Sequence, residues 1–127
     1  MDFTFKKNER LCSKAIIDVL FENSKFINAY PFRISYMKYE YPDSIPGQVM
    51  FIVSKRRLKK AVDRNRTKRL MREAYRLKKE GIYSIDGRKF AMAISFNGKE
   101  PLDFETAKKS MSKIISKLKE NEASLFG

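Results

Sequence analysis

Two periods of hydrophobic and polar positions run through this chain and predict its elements. Ser13 to Asn23, SKAIIDVLFEN, has helical spacing, with Ser13 as N-cap and Asn23-Ser24 as its end. Ile16, Val19 and Leu20 form one stripe suited to a core. Ile17 and Phe21 sit on a flank, as core edge or as contact surface. Phe32 to Glu40 alternates as a strand, with Phe32, Ile34 and Tyr36 on one face and Arg33, Ser35 and Met37 on the other. The segment YPDSIPGQ is a loop. Val49 to Ser54 is apolar on both faces, which suits a central strand, and the short loop predicts that it pairs antiparallel with the strand before it. After a basic stretch, Asp86-Gly87 marks a turn, Lys89 to Phe96 reads as another buried strand, and Asn97-Gly98 breaks it. A last helix runs from Asp103, its N-cap, to about Glu120, with Phe104, Ala107, Met111, Ile114, Ile115 and Leu118 on one face. The closing NEASLFG is expected to fray.

The order is α-β-β-α-β-α, with room for a short extra strand near Phe26. The economical solution is an α+β fold in one domain over residues 1–127: a single mixed sheet, helices mainly on one side, the other face partly open. A hydrophobic content of 43% supports a real core. No run of about 18 apolar residues suggests a membrane span, and the N-terminal MDFTFKKNERL has no apolar stretch of the secretory kind. The single cysteine, Cys12, reads as a reduced thiol, and the expected location is cytoplasmic.

Charge changes the picture. The chain carries +13, and +10 of it lies between Ser54 and Glu80, where thirteen basic residues face three acids. A polyanion is the natural partner for such a window. On a helical wheel Arg64, Lys68, Arg72 and Arg76 step round by about 40° each, with Arg69 and Asn65 among them. Leu70, Met71, Ala74 and Leu77 take the other side, with Thr67 between them. Ordinary solvated helices mix signs at i,i+4, whereas this ridge repeats like charges. Arginine suits phosphate, because its planar fork can hold two oxygens. Strands rather than a partner helix flank the basic helix, and the sheet offers Tyr, Phe and Met candidates, so RNA is favoured over DNA.

Candidate chemistry is sparse. There is no histidine, and one cysteine cannot build a zinc cluster. No phosphate-binding glycine loop occurs. Asp18 and Glu22 share a helix face, but two exposed acids beside Lys14 and Lys25 are the simpler reading. The residues describe a protein that binds RNA and performs no covalent step itself, with no catalytic and no metal-ligating residues of its own.

KKAVDRNRTKRLMREAYR resembles the signature of the bacterial ribonuclease P protein subunit, with the core Arg64-Asn65-Arg66. FKKNERL, VMFIVSKR and FETAKKSMSKIISKLK resemble that family's opening, pre-helix strand and last helix, so the similarity spans nearly the whole chain. The resemblance implies a ribosomal S5-like two-layer fold with a left-handed crossover between two parallel strands around the basic helix, where general rules favour a right-handed one. It implies that a partner RNA carries the catalysis with magnesium and removes the 5′ leader of precursor tRNA. It also implies that the protein binds that RNA and holds the single-stranded leader in a cleft between the sheet and the first helix. No membrane and no obligate protein partner are expected.

Carried over by position, Arg64, Asn65, Arg66, Lys68, Arg69 and Arg72 match the motif helix and are assigned to the catalytic RNA, with Arg64, Lys68 and Arg72 in reach of the leader side. Arg76 and the loop residues Lys55, Arg56, Arg57, Lys59 and Lys60 extend that RNA-binding surface. Ile17, Phe21, Arg33, Ser35, Met37, Met50 and Ile52 are the expected cleft residues. Three departures from the family's pattern stand out: Ile17 is aliphatic where the family places an aromatic, Ser35 stands where tyrosine is common, and Leu58 with extra basic residues replaces a usual glycine in SKRRLKK. The rival readings are a ribosomal-type structural RNA-binding protein and a metal-dependent nuclease built on Asp18 and Glu22.

Overall fold

The structure is a computed structural model that describes residues 10–23, 25–39, 47–78 and 90–126. The residues before Arg10, most of the loop YPDSIPGQ, Lys79 and Glu80, and the Asp86-Gly87 turn lie outside the described residues. Seven elements follow one another: α1 Lys14–Asn23, β1 Lys25–Ala29, β2 Phe32–Lys38, β3 Gln48–Ile52, α2 Ala61–Lys78, β4 Phe90–Phe96 and α3 Phe104–Phe126. They form an α+β fold with one four-stranded sheet in the order β1-β2-β4-β3. The short extra strand is real: β1 and β2 make a hairpin through Tyr30-Pro31, whose peptide bond is cis.

The expected antiparallel pairing of β2 with β3 is wrong. β4 stands between them, antiparallel to β2 and parallel to β3. The reason is burial. Six of the seven β4 residues are buried, and a strand apolar on both faces gains most where it has a neighbour on each side. Gly47 opens β3 at φ +144°, where a Cβ would lie 3.1 Å from the Phe90 carbonyl oxygen, so glycine suits that approach.

Strand alternation sorts the sheet into two faces. On one, Phe32, Ile34, Tyr36, Val49, Phe90, Met92, Ile94 and Phe96 join Met71, Ala74 and Tyr75 of α2 and Ala107, Met111, Ile114, Ile115 and Leu118 of α3 in the main core. On the other, Ala91 and Ala93 cluster with Leu20 of α1 and with Leu11. Two alanines let a helix approach closely, so α1 seats one fully buried leucine there. Leu11 donates its backbone N–H to the Val49 carbonyl at 3.0 Å, and Arg10 bridges to Val49, so the chain before α1 lies along the β3 edge.

Two helix positions differ from their wheel assignments, and one helix end differs from its expected bound. Val19 is exposed, and Leu20 with half-buried Ile16 and Ile17 carries the packing. Phe104, in the first turn of α3, is also exposed, with the Lys108 ammonium 5.2 Å from its ring centroid. α3 runs helical to Phe126, past the expected end near Glu120.

Both predicted N-caps form. Ser13 Oγ accepts the Ile16 N–H at 3.4 Å. Asp103 accepts the Thr106 N–H at 2.8 Å and the Thr106 hydroxyl at 2.9 Å. Those two bonds, the backbone one first, hold the Asp103 pKa below its ordinary value. The depressed pKa belongs to the folded state, so the stabilisation is complete above the unfolded value of about 3.9 and is lost as pH falls through the folded one. Asp103→Ala is therefore expected to lower the thermal midpoint at pH 7, with the gap to the parent protein narrowing at about pH 3 and below. Thermal melts at both pH values check this; an unchanged gap would remove the charge from the explanation.

Candidate nucleic-acid interface

The α2 backbone presents its basic residues in two tiers. Asn65, Arg66 and Arg69 are exposed, while Arg64, Lys68, Arg72 and Arg76 are only half-exposed. The wheel assignment missed Tyr75. It lies between Arg64 and Lys68, about 20° from Arg64, and is buried with its ring edge-on to Phe51, centroids 5.7 Å apart. Burial of Tyr75 with Met71 turns the helix so that the i,i+4 ridge runs along the border of core and solvent. Leu70 is only partly buried, and Leu77 likewise.

Two ridge arginines already have internal work. Arg64 donates through Nη1 to the Leu58 and Lys59 carbonyls at 3.0 and 2.8 Å, tying the preceding loop to the first turn of α2. Arg76 makes a two-pronged pair with Glu73, Nε to Oε1 at 3.3 Å and Nη2 to Oε2 at 2.9 Å. The expected run of like charges is thus corrected at Arg76, which pairs with an acid. A carboxylate three residues away is a helical neighbour, and Glu73 leans onto the ridge. Arg72 Nε is buried without a hydrogen-bond partner among the described residues.

Leu58 accounts for the loop that lacks the usual glycine. Its side chain is buried in the main core and pins the loop, while Ser54 accepts the Arg57 and Leu58 N–H groups at 3.1 and 3.2 Å. Lys55, Arg56, Arg57, Lys59 and Lys60 are thereby left exposed. Lys99, from the connection after β4, joins Arg56, Arg57, Lys59 and Lys60 around one recess beside Asp63. No signal in the sequence links Lys99 to a loop some forty positions earlier.

The expected cleft residues share the α1 face of the sheet. Ile17, Met37, Met50 and Ile52 are half-buried against the small α1 cluster, and Arg33 and Ser35 are half-buried on the same face by register. Tyr36 is buried on the opposite face, as alternation requires. Phe21 is 53% exposed and so is not a core residue. Among the described residues α1 packs on β2 and β4; β3, with half-buried Met50 and Ile52, and β1, with exposed Phe26, flank it on either side. Sequence reasoning did not place Phe26 here, because its face depends on pairing with β2. Among the described residues no three of His, Cys, Asp or Glu converge as a metal site, and no helix is long and apolar enough to cross a membrane.

The family model described as Ribonuclease P matches residues 5–119. The ribonuclease P protein component of Porphyromonas gingivalis is 33% identical over 122 residues, covering 94% of this chain and 89% of the relative. Among solved structures, the Staphylococcus aureus RNase P protein superposes with a TM-score of 0.69 at 16% identity, covering 87% of this chain and 94% of that one. The Thermotoga maritima RNase P protein gives 0.66 at 22%, covering 86% and 96%. These two likenesses concern the fold, and they share it with the sheet and helices described above. A match through the basic helix, both sheet edges and the last helix, with a relative aligned over nearly its full length, places this chain in the ribonuclease P protein family.

Proposed function

We propose that this chain is the RNA-binding protein subunit of a cytoplasmic ribonuclease P, and that it assists a catalytic RNA in cutting the 5′ leader from precursor tRNA. The observation that carries the reading is the outward tier of α2, Asn65, Arg66 and Arg69, beside a loop of five exposed cations. Guanidinium forks on a rigid helix hold phosphate oxygens in fixed register, and each phosphate neutralised releases condensed counterions. Arg64, Lys68 and Arg72 stand on the helix border and add contacts as RNA closes over them.

The α1 face supplies a second kind of contact. Met50, Ile52 and Met37 offer an apolar floor, Phe21 an exposed ring, and Arg33 a cation. That mixture suits unpaired nucleotides, whose bases stack and whose phosphates need neutralising. Holding the leader there raises affinity for precursor over mature tRNA. The described donor set does not fit a protein-held metal: Asp18 and Glu22 are two exposed acids on α1, and Glu73 is taken by Arg76. We therefore assign the magnesium of the holoenzyme to the RNA and draw no step through it. A ribosomal-type role is not favoured by any of the relatives.

Reconstitution tests the reading. A leader-bearing precursor tRNA is incubated at low magnesium with ribonuclease P RNA from the same organism, with this protein, or with both. Cleavage at the mature 5′ end is expected only with both. Tight RNA binding without any stimulation of that cleavage would overturn the proposal.

A further inference from the structure

Phe26 is a large aromatic on an edge strand that neither core uses. It is 55% exposed, whereas Phe32, Tyr36, Phe90 and Phe96 of the same sheet are all buried. The β1–β2 register sets Phe26 directly opposite Ser35 and one diagonal step from Arg33, all on the α1 face. The Arg33 guanidinium carbon lies 4.0 Å from the Phe26 ring centroid. The guanidinium thus lies over the ring while the residue as a whole stays exposed. Ser35, being small, fills little of the space opposite, and α1 packs on β2 and β4 rather than on β1.

Arg33 is as informative as the ring. No carboxylate pairs with it among the described residues, and its Nε is buried without a partner. A guanidinium held over a ring spends none of its hydrogen-bond donors on that contact. An exposed ring beside a guanidinium without a carboxylate among the described residues is the pairing that takes a base and its phosphate together.

We propose that Phe26 and Arg33 form a one-nucleotide subsite for single-stranded RNA on the β1 flank of the sheet, beyond α1. A base stacks on the open side of Phe26, and a phosphate of the same strand sits in the Arg33 fork. The proposal rests on the leader-binding reading above and adds a position to it. Two residues that lie seven apart in sequence form the subsite only through the hairpin register.

Equilibrium binding by the reconstituted holoenzyme tests it, using precursor tRNAs whose leaders are shortened one nucleotide at a time, and mature tRNA. The parent protein is expected to lose affinity in steps as the leader shortens. Phe26→Ala should remove one step, about five- to a hundredfold, leaving shorter leaders and mature tRNA unchanged. Phe26→Leu keeps apolar volume and should behave like Phe26→Ala. Arg33→Lys keeps charge but not the fork and should weaken the same step. In Phe26→Ala, adding Ser35→Tyr moves a ring to the facing position and should restore part of it. Uniform loss on every substrate, mature tRNA included, would overturn the subsite and make the pair a structural or RNA-docking element. No loss in any variant would overturn it too. If the parent protein shows no leader-length dependence while still stimulating cleavage, the leader-binding reading fails and the subsite with it.

Discussion

Replacing Arg66 and Arg69 together by alanine is expected to weaken binding of ribonuclease P RNA and to lower the slope of log affinity against log salt by about two. Both side chains are exposed on α2, and no bond among the described residues engages either. Between 50 and 200 mM salt the ratio of parent to variant affinity should therefore change by roughly tenfold or more. Stability should stay within about 0.5 kcal/mol, as for surface substitutions away from caps and networks. Arg64→Ala should differ in kind. It removes the bonds to the Leu58 and Lys59 carbonyls as well as a cation, so it should cost stability and affinity together. Arg76→Ala frees Glu73 on the ridge, adding an unpaired acid where a neutralised pair stood. Binding isotherms across a salt series, with melts on the same proteins, separate these cases. Equal slopes for the parent and the Arg66/Arg69 variant would move the RNA elsewhere on the surface.

Leu20→Ala carries the largest stability effect expected on the α1 side, about 2–5 kcal/mol. Leu20 is fully buried over the alanines of β4, so its truncation leaves a cavity at the centre of the small cluster, which the half-buried side chains around it fill only by moving. Its neighbour Phe21 is 53% exposed, and Phe21→Ala should change stability far less. Its effect should fall on leader-bearing precursor tRNA, by up to about 1–3 kcal/mol if the ring stacks on a base, and not on mature tRNA. Urea unfolding of the two single variants, followed by binding to both substrates, checks the pair. Equal destabilisation by both would return Phe21 to the core.

Adjacent positions thus have opposite fates, and the wheel alone did not divide them correctly. The stripe Ile16, Val19, Leu20 satisfies helical periodicity, yet Val19 is exposed and Ile17 packs. When apolar residues spread around most of a short helix, periodicity defines an arc but not its centre. The sheet beneath selects the centre, here through the hollow over Ala91 and Ala93. The same limit applies to α2. The side chains of Arg64, Lys68, Arg72 and Arg76 were aligned correctly in sequence, but Tyr75 in their midst is buried, and that rotation decides which cations face outward.

Local chemistry was legible where it acts over a few residues. The Ser13 and Asp103 caps, the strand alternation of Phe32 to Met37, the helical face of α3 and the basic window each follow from neighbours along the chain. Family membership was legible for the same reason, because the Arg64-Asn65-Arg66 core is contiguous. Pairing was not. That β4 enters between β2 and β3, that Phe26 faces Ser35, and that Lys99 joins the Arg56–Lys60 loop are all contacts between distant residues. Backbone dihedrals and capping bonds are settled within one turn or one strand, so the sequence by itself determined the elements and their charge. Strand order, helix rotation and the partners of each exposed arginine depend on which apolar surfaces bury each other best, and only the tertiary structure decided those.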